Sequence, residues 1–353
     1  MKLSVVHETR YDYVPDVDVA QHIAYLQPLN TIRQQLLSHT LQINPVPAQS
    51  RRVTDVFGNT RCYFSLQAPH RVLQVSARSL VETSSYPLPA SSVTWEQTRE
   101  RFRYHAGEKF PAAAEFVFAS PHVPRQAEFA DYARPSFGTG VGVMAAAKDL
   151  MQRIYKDFTY SSESTEIDTP ALEALRQRSG VCQDFAHIMI ACMRSMGVPA
   201  RYVSGYLLTQ PAPGQAKLRG SDASHAWVAV YLPDMPPDLA WCDFDPTNNR
   251  CGLHSPGEDY VTLATGRDFA DVSPLRGVIH GGGDHTLTVA VTVEQVDGQT
   301  QAQVQVQTQT QTQTQTQTQT QTQTQTQMQM QMQMQMQMQM QMQTQVVVPI
   351  PNR

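Results

Sequence analysis

The chain has 353 residues, 41% hydrophobic and 16% charged, with a formal net charge of −4. That length allows two domains and a sizeable core, and the mild acidity excludes the broad basic stripe of a nucleic-acid-binding surface. No run of about 18 apolar residues occurs, which excludes a membrane-spanning helix, and the opening MKLSVVHETRYDY lacks the apolar core of a signal peptide, so the cytoplasm is the expected compartment. Five cysteines (Cys62, Cys182, Cys192, Cys242, Cys251) are scattered and odd in number, which fits no disulfide framework and suits a reducing compartment.

In chain order, residues 1–90 hold short β-prone runs at Leu3–Val6, Leu36–Ile43, Arg61–Leu66 and Val72–Val81, separated by proline and Asn/Gly turn signals. The stretch DVFGNTRCYFSL (55–66) predicts a turn at Gly58-Asn59 between two strands. These features predict an antiparallel, sandwich-like β domain. A proline-rich linker at 87–90 leads to a short helix over Trp95–Tyr104. Apolar residues from Val143 to Tyr155 recur at helical spacing, and Thr169-Pro170 reads as an N-cap and first helical position. The apolar positions Cys182, Phe185, Met189, Cys192, Met193 and Met196 share one helical face, and Gly197 and Pro199 end that helix. Strands follow at Ala200–Leu207, Ser224–Leu232 and Trp241–Phe244, with a polar loop over 209–223.

From Gln299 to Gln345 the chain is a two-residue repeat, Gln-Thr and then Gln-Met, and eight of the fifteen methionines occupy alternate positions from Met328 to Met342. No Asp, Glu, Lys or Arg occurs between Gln301 and Asn352. The expectation is a disordered, aggregation-prone tail, dispensable for folding and catalysis.

Chemistry concentrates in the middle of the chain. Cys182 follows Ser179-Gly180 at the start of an apolar-faced helix. A helix N-terminus favours a thiolate, and its free N–H groups can stabilise an oxyanion. Such a thiolate needs a histidine partner, and the histidine needs an orienting group. His225, at the head of an apolar strand, is the candidate base. Asp245, where the next strand meets Pro246, is the candidate orienter. Asp243 shares its side-chain parity, and Asp245 is preferred because it lies at the strand end.

The motifs GVCQDFAH (180–187), SHAWVAVYLP (224–233) and WCDFDPTNN (241–249) resemble the Cys, His and Asp motifs of bacterial transglutaminase-like proteins, members of the papain-like superfamily of cysteine enzymes. DVFGN resembles the β domain that precedes the catalytic domain in one bacterial branch, and residues 266–294 resemble that branch's C-terminal end. The resemblance covers 1–296 and leaves out the repeat tail. It implies an α+β fold: a papain-like core in which a Cys-bearing helix packs on an antiparallel sheet, preceded by the all-β region. The implied organisation is 1–90 β domain, 91–297 catalytic domain and 298–353 tail. It implies Cys182 as nucleophile, His225 as general base and acid, and Asp245 as orienter, acting on an amide or peptide bond through a thioester. Hydrolysis is favoured over cross-linking, because water is always present and transfer needs an acceptor site that excludes it. The alternatives are a noncatalytic peptide-binding module using the same cleft, and an arylamine acyltransferase. The second oxyanion donor is sought in Phe158-Thr-Tyr160.

Other residues carry plainer expectations. Cys242, Cys251 and His254 could supply metal ligands but lack a CxxC pair, and Cys242 reads as core. His187 reads as a packing or hydrogen-bonding residue, and Trp227 as core or cleft lining. Asp184, in the first turn of the Cys182 helix, suits the helix dipole or could select a cationic substrate group. No cofactor and no metal are expected. The expected partner is a peptide or protein substrate, not nucleic acid or a membrane.

Overall fold

The computed structural model describes residues 1–296 apart from 104, 108, 110, 162, 166–168 and 210–223. The expected polar loop, save Thr209, and the repeat tail lie outside the described residues. No helix of the described residues is long and apolar enough to cross a membrane.

The first strand is far longer than its opening residues suggest: β1 spans Lys2–Ala24. Leu3, Val5, His7 and Thr9 alternate inward at the period of two that a half-buried strand requires. Its pairing with the strand that follows later in the chain shifts register between Asp12 and Val17. Pro15 lies in that interval and has no N–H to give to a ladder. The strands β2 (Gln34–Asn44), β3 (Gln49–Thr54), β4 (Thr60–Leu66) and β5 (His70–Thr83) complete the order β2-β5-β1-β4-β3. The two halves of β1 thus take different partners: β5 along the first half and β4 along the second. Leu73, Val75 and Ala77 from one half pack in one cluster with Cys62, Phe64 and Leu66 from the other. The sandwich-like packing is therefore made by one curled antiparallel sheet. The turn at Gly58 forms as expected. Gly58 has φ +87°, its N–H reaches the Asp55 carbonyl, and the Asp55 carboxylate accepts the N–H groups of Phe57 and Asn59.

Helix α1 (Trp95–Arg101) opens on a capping box formed by Thr94 and Gln97. It is shorter than the expected Trp95–Tyr104. There follow α2 (Ala127–Ala133), α3 (Val143–Asp157), β6 (Thr159–Tyr160), α4 (Ala171–Gln177), β7 (Ser179–Gly180) and α5 (Cys182–Ser195). Helix α4 starts one residue later than predicted, with Pro170 rather than Thr169 at the cap position. Helix α5 is buried on every side from Asp184 to Arg194, rather than on the single predicted face. Gly197 ends it in the left-handed region, at φ +79°, where its N–H meets the Arg194 carbonyl.

Helix α5 packs on a five-stranded antiparallel sheet. Its strands are β8 (Ala200–Leu207), β9 (Ser224–Tyr231), β10 (Trp241–Asp245), β11 (Arg250–Leu253) and β12 (Tyr260–Gly266), in the order β11-β10-β9-β8-β12. The face turned to α5 is apolar: Ala226, Val228, Val230, Cys242 and Phe244 join Ile188, Met189 and Met193 in one core. The other face carries His225, Trp227, Asp243 and Asp245. After α6 (Phe269–Val272), strands β13 (Leu275–Gly281) and β14 (Asp284–Gln295) leave this unit and pair with β1. The first sheet is therefore built from both ends of the described chain.

The two sheets are joined by side-chain amides. The edge strand β12 leaves backbone groups unpaired on its outer side. Gln34 accepts the Thr262 N–H at 2.8 Å and donates to the Thr262 carbonyl at 2.8 Å. Asn59, the last residue of DVFGN, accepts the Thr265 N–H and donates to the Thr265 carbonyl, each at 2.8 Å. Both amides are buried, so they act as a substitute strand. Truncating Asn59 leaves both Thr265 groups unpaired. We expect Asn59→Ala to cost about 2 kcal/mol or more in urea unfolding. A loss below about 0.5 kcal/mol, the range of ordinary surface substitutions, contradicts this clamp.

Candidate active site

Cys182 is placed by the segment before it. Strands β6 and β7 pair in parallel, Thr159 with Ser179 and Tyr160 with Gly180. This lays Tyr160 alongside the turn that enters α5. Asp184 then closes the turn: its Oδ2 accepts the Val181 N–H at 2.8 Å and the Thr165 hydroxyl at 2.7 Å. Gly180 is required at this approach, because a Cβ there would lie 2.6 Å from Asp184 Oδ2. Burial raises the Asp184 pKa, and these two hydrogen bonds oppose the rise. At 2% exposure the carboxylate is committed to shaping the helix start.

His225 enters from β9 and Asp245 from the end of β10. His225 Nε2 donates to Asp245 Oδ2 at 2.7 Å. Cys182 lies close enough to the same imidazole to raise its pKa by hydrogen bonding and by charge. The geometry thus brings together all three residues singled out in the sequence. Asp245 is fully buried and collects further donors. Tyr260 Oη and Asn248 Nδ2 both reach Oδ2 at 2.7 Å, and the N–H groups of Thr247 and Asn248 reach Oδ1 at 2.8 and 3.2 Å. The last two bonds explain why Asp-Pro-Thr-Asn ends the strand: the aspartate side chain caps its own turn. Burial raises the Asp245 pKa, but the His225 hydrogen bond and charge, with Asn248 and Tyr260, carry it below the ordinary value. For His225, burial lowers the pKa. The hydrogen bonds and negative charge of Asp245 and Cys182 outweigh it, so the imidazolium is stabilised.

Tyr260 and Asn248 were not singled out by sequence reasoning. Asn248 lies inside the WCDFDPTNN motif, so its position was in view though its role was not. Tyr260 has no local signal, because its contact comes from a strand paired on the far edge of the sheet. Tyr160 lies close enough to Cys182 for a thiolate there to raise its phenol pKa, after the larger effect of burial.

The remaining flagged residues have structural partners. His187 is buried, stacks on His122 with ring centroids 5.2 Å apart, and accepts the Phe269 N–H at 3.2 Å. Cys242 is buried and its thiol faces the Gly252 carbonyl at 3.4 Å. Burial pushes the Cys192 and Cys242 thiols up, away from thiolate chemistry. Among the described residues no group of three or more His, Cys, Asp or Glu is arranged to hold a metal ion.

Asp243 takes a different partner from Asp245: its Oδ2 accepts Trp227 Nε1–H at 2.7 Å. Burial pushes its pKa up to about 7, against the opposing Trp227 hydrogen bond and the charges of Arg201 and Arg33. Unfolded, the group ionises near ~3.9. Between those values the folded chain keeps a proton that the unfolded chain releases, so the favourable contribution is complete below pH ~4 and is lost as pH rises through about 7. We expect wild-type stability, relative to Asp243→Asn, to fall by about 1 kcal/mol per pH unit between about pH 5 and 7. Parallel stability curves for the two proteins in urea titrations contradict this.

Comparison with known proteins agrees with this architecture. Residues 132–246 match the transglutaminase-like superfamily, and residues 3–82 match the bacterial transglutaminase-like N-terminal region. An uncharacterized protein of Mycobacterium tuberculosis is 38% identical over 302 residues, covering 83% of this chain and 93% of that protein. A protein-glutamine gamma-glutamyltransferase of Pseudomonas aeruginosa is 30% identical over 129 residues, 35% of this chain and 18% of that protein. A crystal structure described as "a Putative Cysteine Protease from Cytophaga hutchinsonii" superposes with a TM-score of 0.64 at 23% identity, covering 84% of this chain and 91% of the other. With its curled β-rich N-terminal region and its Cys-bearing helix on an antiparallel sheet, the chain belongs to the transglutaminase-like superfamily.

Proposed function

We propose that the protein is a cysteine enzyme that cleaves or transfers carboxamide or peptide bonds through a Cys182-His225-Asp245 triad. One observation carries this reading: Cys182, at a helix N-terminus, lies close enough to act on the His225 imidazole, whose Nε2 is held by the buried carboxylate of Asp245 at 2.7 Å. In the first step the Cys182 thiolate, its proton already held on the His225 imidazolium, attacks the substrate carbonyl carbon. The resulting oxyanion faces the Cys182 backbone N–H. Tyr160, laid beside Gly180 by the β6–β7 pairing, supplies the second donor. As the carbon–nitrogen bond breaks, His225 gives its proton to the leaving amine and a thioester remains. Water, deprotonated by His225, then resolves the thioester to the acid and restores the thiol. Resolution by a primary amine would instead give transfer. Hydrolysis is the proposed outcome, because water is always present and transfer needs an amine site that shuts it out. The expected organisation, a β region over 1–90 and a catalytic segment over 91–297, serves this reading as a support and a reaction unit.

Three substitutions test the roles. Cys182→Ala should abolish turnover and leave the fold intact, since the first position of a helix accepts alanine; full activity in this variant removes the mechanism. Asp245→Asn should lower kcat by about 10²- to 10⁴-fold and leave measurable turnover. Tyr160→Phe should lower kcat by about 10-fold or more with KM little changed; an unchanged kcat removes Tyr160 from the oxyanion site. A glutamine peptide incubated with a primary-amine probe separates the two outcomes: amine incorporation without comparable deamidation overturns the hydrolytic assignment. Alkylation of Cys182 no faster than a free thiol at neutral pH would favour the binding-module reading.

A further inference from the structure

On the same sheet face as His225 and Asp245, but farther along the strands, a cavity of about 610 Å³ opens between the two sheets. Leu29, Ile32 and Phe57 come from the N-terminal region, and Arg201, Trp241 and Asp243 from the core sheet. Its volume falls within the ~300–1,000 Å³ of small-molecule sites. The Cys182 helix packs on the opposite sheet face, and neither Cys182 nor His225 lines the cavity.

One wall residue is unusual. The Arg201 guanidinium lies 4.0 Å from the Trp241 ring centroid, yet makes no hydrogen bond or ion pair among the described residues, and its Nε is buried without a partner. Burial pulls its pKa down to about 10, with Asp243 opposing, so it stays charged at neutral pH. A charged group partly withdrawn from water without an acceptor is costly; Arg61 and Arg78 likewise bury an unpartnered Nε, but Arg201 is the one that lines this cavity. Arg194, which is more enclosed than Arg201, donates to the carbonyls of Phe118, Ala200 and Arg267. Arg33 donates to those of Ser84, Leu253 and Ser255.

The nearby cations and carboxylates are equal in number, and burial keeps Asp243 largely protonated below about pH 7. Arg201 and Arg33 both act on Asp243, whose Oδ2 is already held by Trp227. His254 is kept neutral, its pKa lowered mainly by burial, and its Nε2 faces the Asp238 carbonyl at 2.6 Å. Asp238 contributes one further carboxylate at the rim. A planar guanidinium stacked on an aromatic ring offers paired N–H donors to an oxyanion, and Leu29, Ile32 and Phe57 offer apolar surface to the rest of such a molecule.

We propose that this cavity binds a small organic oxyanion, its carboxylate or phosphate paired with the Arg201 guanidinium and its apolar part lying against Leu29, Ile32 and Phe57. The site is separate from the Cys182 cleft and does not depend on the proposed reaction. Its occupant would bridge the N-terminal region and the core sheet.

The test is calorimetric titration of the full chain with three probes that share one ring: phenylacetate, phenyl phosphate and the neutral phenylacetamide. At least one anion should bind saturably at one site per chain, and the amide about tenfold more weakly or not at all. The stronger of the two anions identifies the source of the charge. Arg201→Gln should weaken that anion about tenfold or more. In case that variant does not fold, Ile32→Asp changes a rim residue that is 43% exposed and should also weaken it, by repulsion. Cys182→Ala should bind the anion as the wild type does. The proposal is overturned if neither anion gives saturable binding, if the amide binds as well as the anions, if both charge variants bind like the wild type, or if Cys182→Ala abolishes binding.

Discussion

The site depends on one buried carboxylate. Asp245 is fully enclosed, and an isolated charge there would be expelled or neutralised. It stays ionised because donors converge on it from three parts of the chain: His225 on the neighbouring strand β9, Thr247 and Asn248 in its own turn, and Tyr260 on β12 at the sheet's far edge. Each donor fixes a different degree of freedom. The turn amides fix the carboxylate, Tyr260 ties it to β12, and the carboxylate in turn fixes the imidazole. Cys182 then needs only to arrive at the open ring nitrogen, which the β6–β7 pairing and the Asp184 cap arrange from the other side.

The N-terminal region contributes to this arrangement without supplying a residue to it. Gln34 and Asn59 pair with the backbone of β12, the strand that carries Tyr260. Arg33 holds the carbonyls of Leu253, the last residue of β11, and of Ser255 just beyond it. Strands β13 and β14 return to β1, so the core sheet is bracketed on both sides in sequence by the curled sheet. Clamping an edge strand by side-chain amides also covers backbone groups that would otherwise invite pairing with another chain.

The site was more legible in the sequence than the fold around it. Cys182, His225 and Asp245 stand beside local signals: a Ser-Gly turn before an apolar helix, the head of an apolar strand, and a strand end before proline. Gly58 and Gly197 likewise mark turns that their own neighbours require. What escaped sequence reasoning depends on distant partners. The length of β1 shows only once β5, β4, β13 and β14 are in place along its sides. Tyr260 looks like any core tyrosine until β12 is set beside β8. Asn59 was visible as a turn residue, but its second task, holding Thr265 from 206 positions away, leaves no local trace. Asp184 had two readings in the sequence, and the close approach of Gly180 decides for the structural one.

The central claim is that Asp245 and Cys182 together hold His225 as an imidazolium against the cost of burial. The most direct measurement is an NMR titration of the His225 ring nitrogens in the folded protein. The account predicts that the ring remains protonated on both nitrogens through neutral pH, and that Asp245→Asn lowers its titration midpoint. A wild-type His225 that loses its second proton at or below the ordinary histidine value of about 6.5 would contradict it.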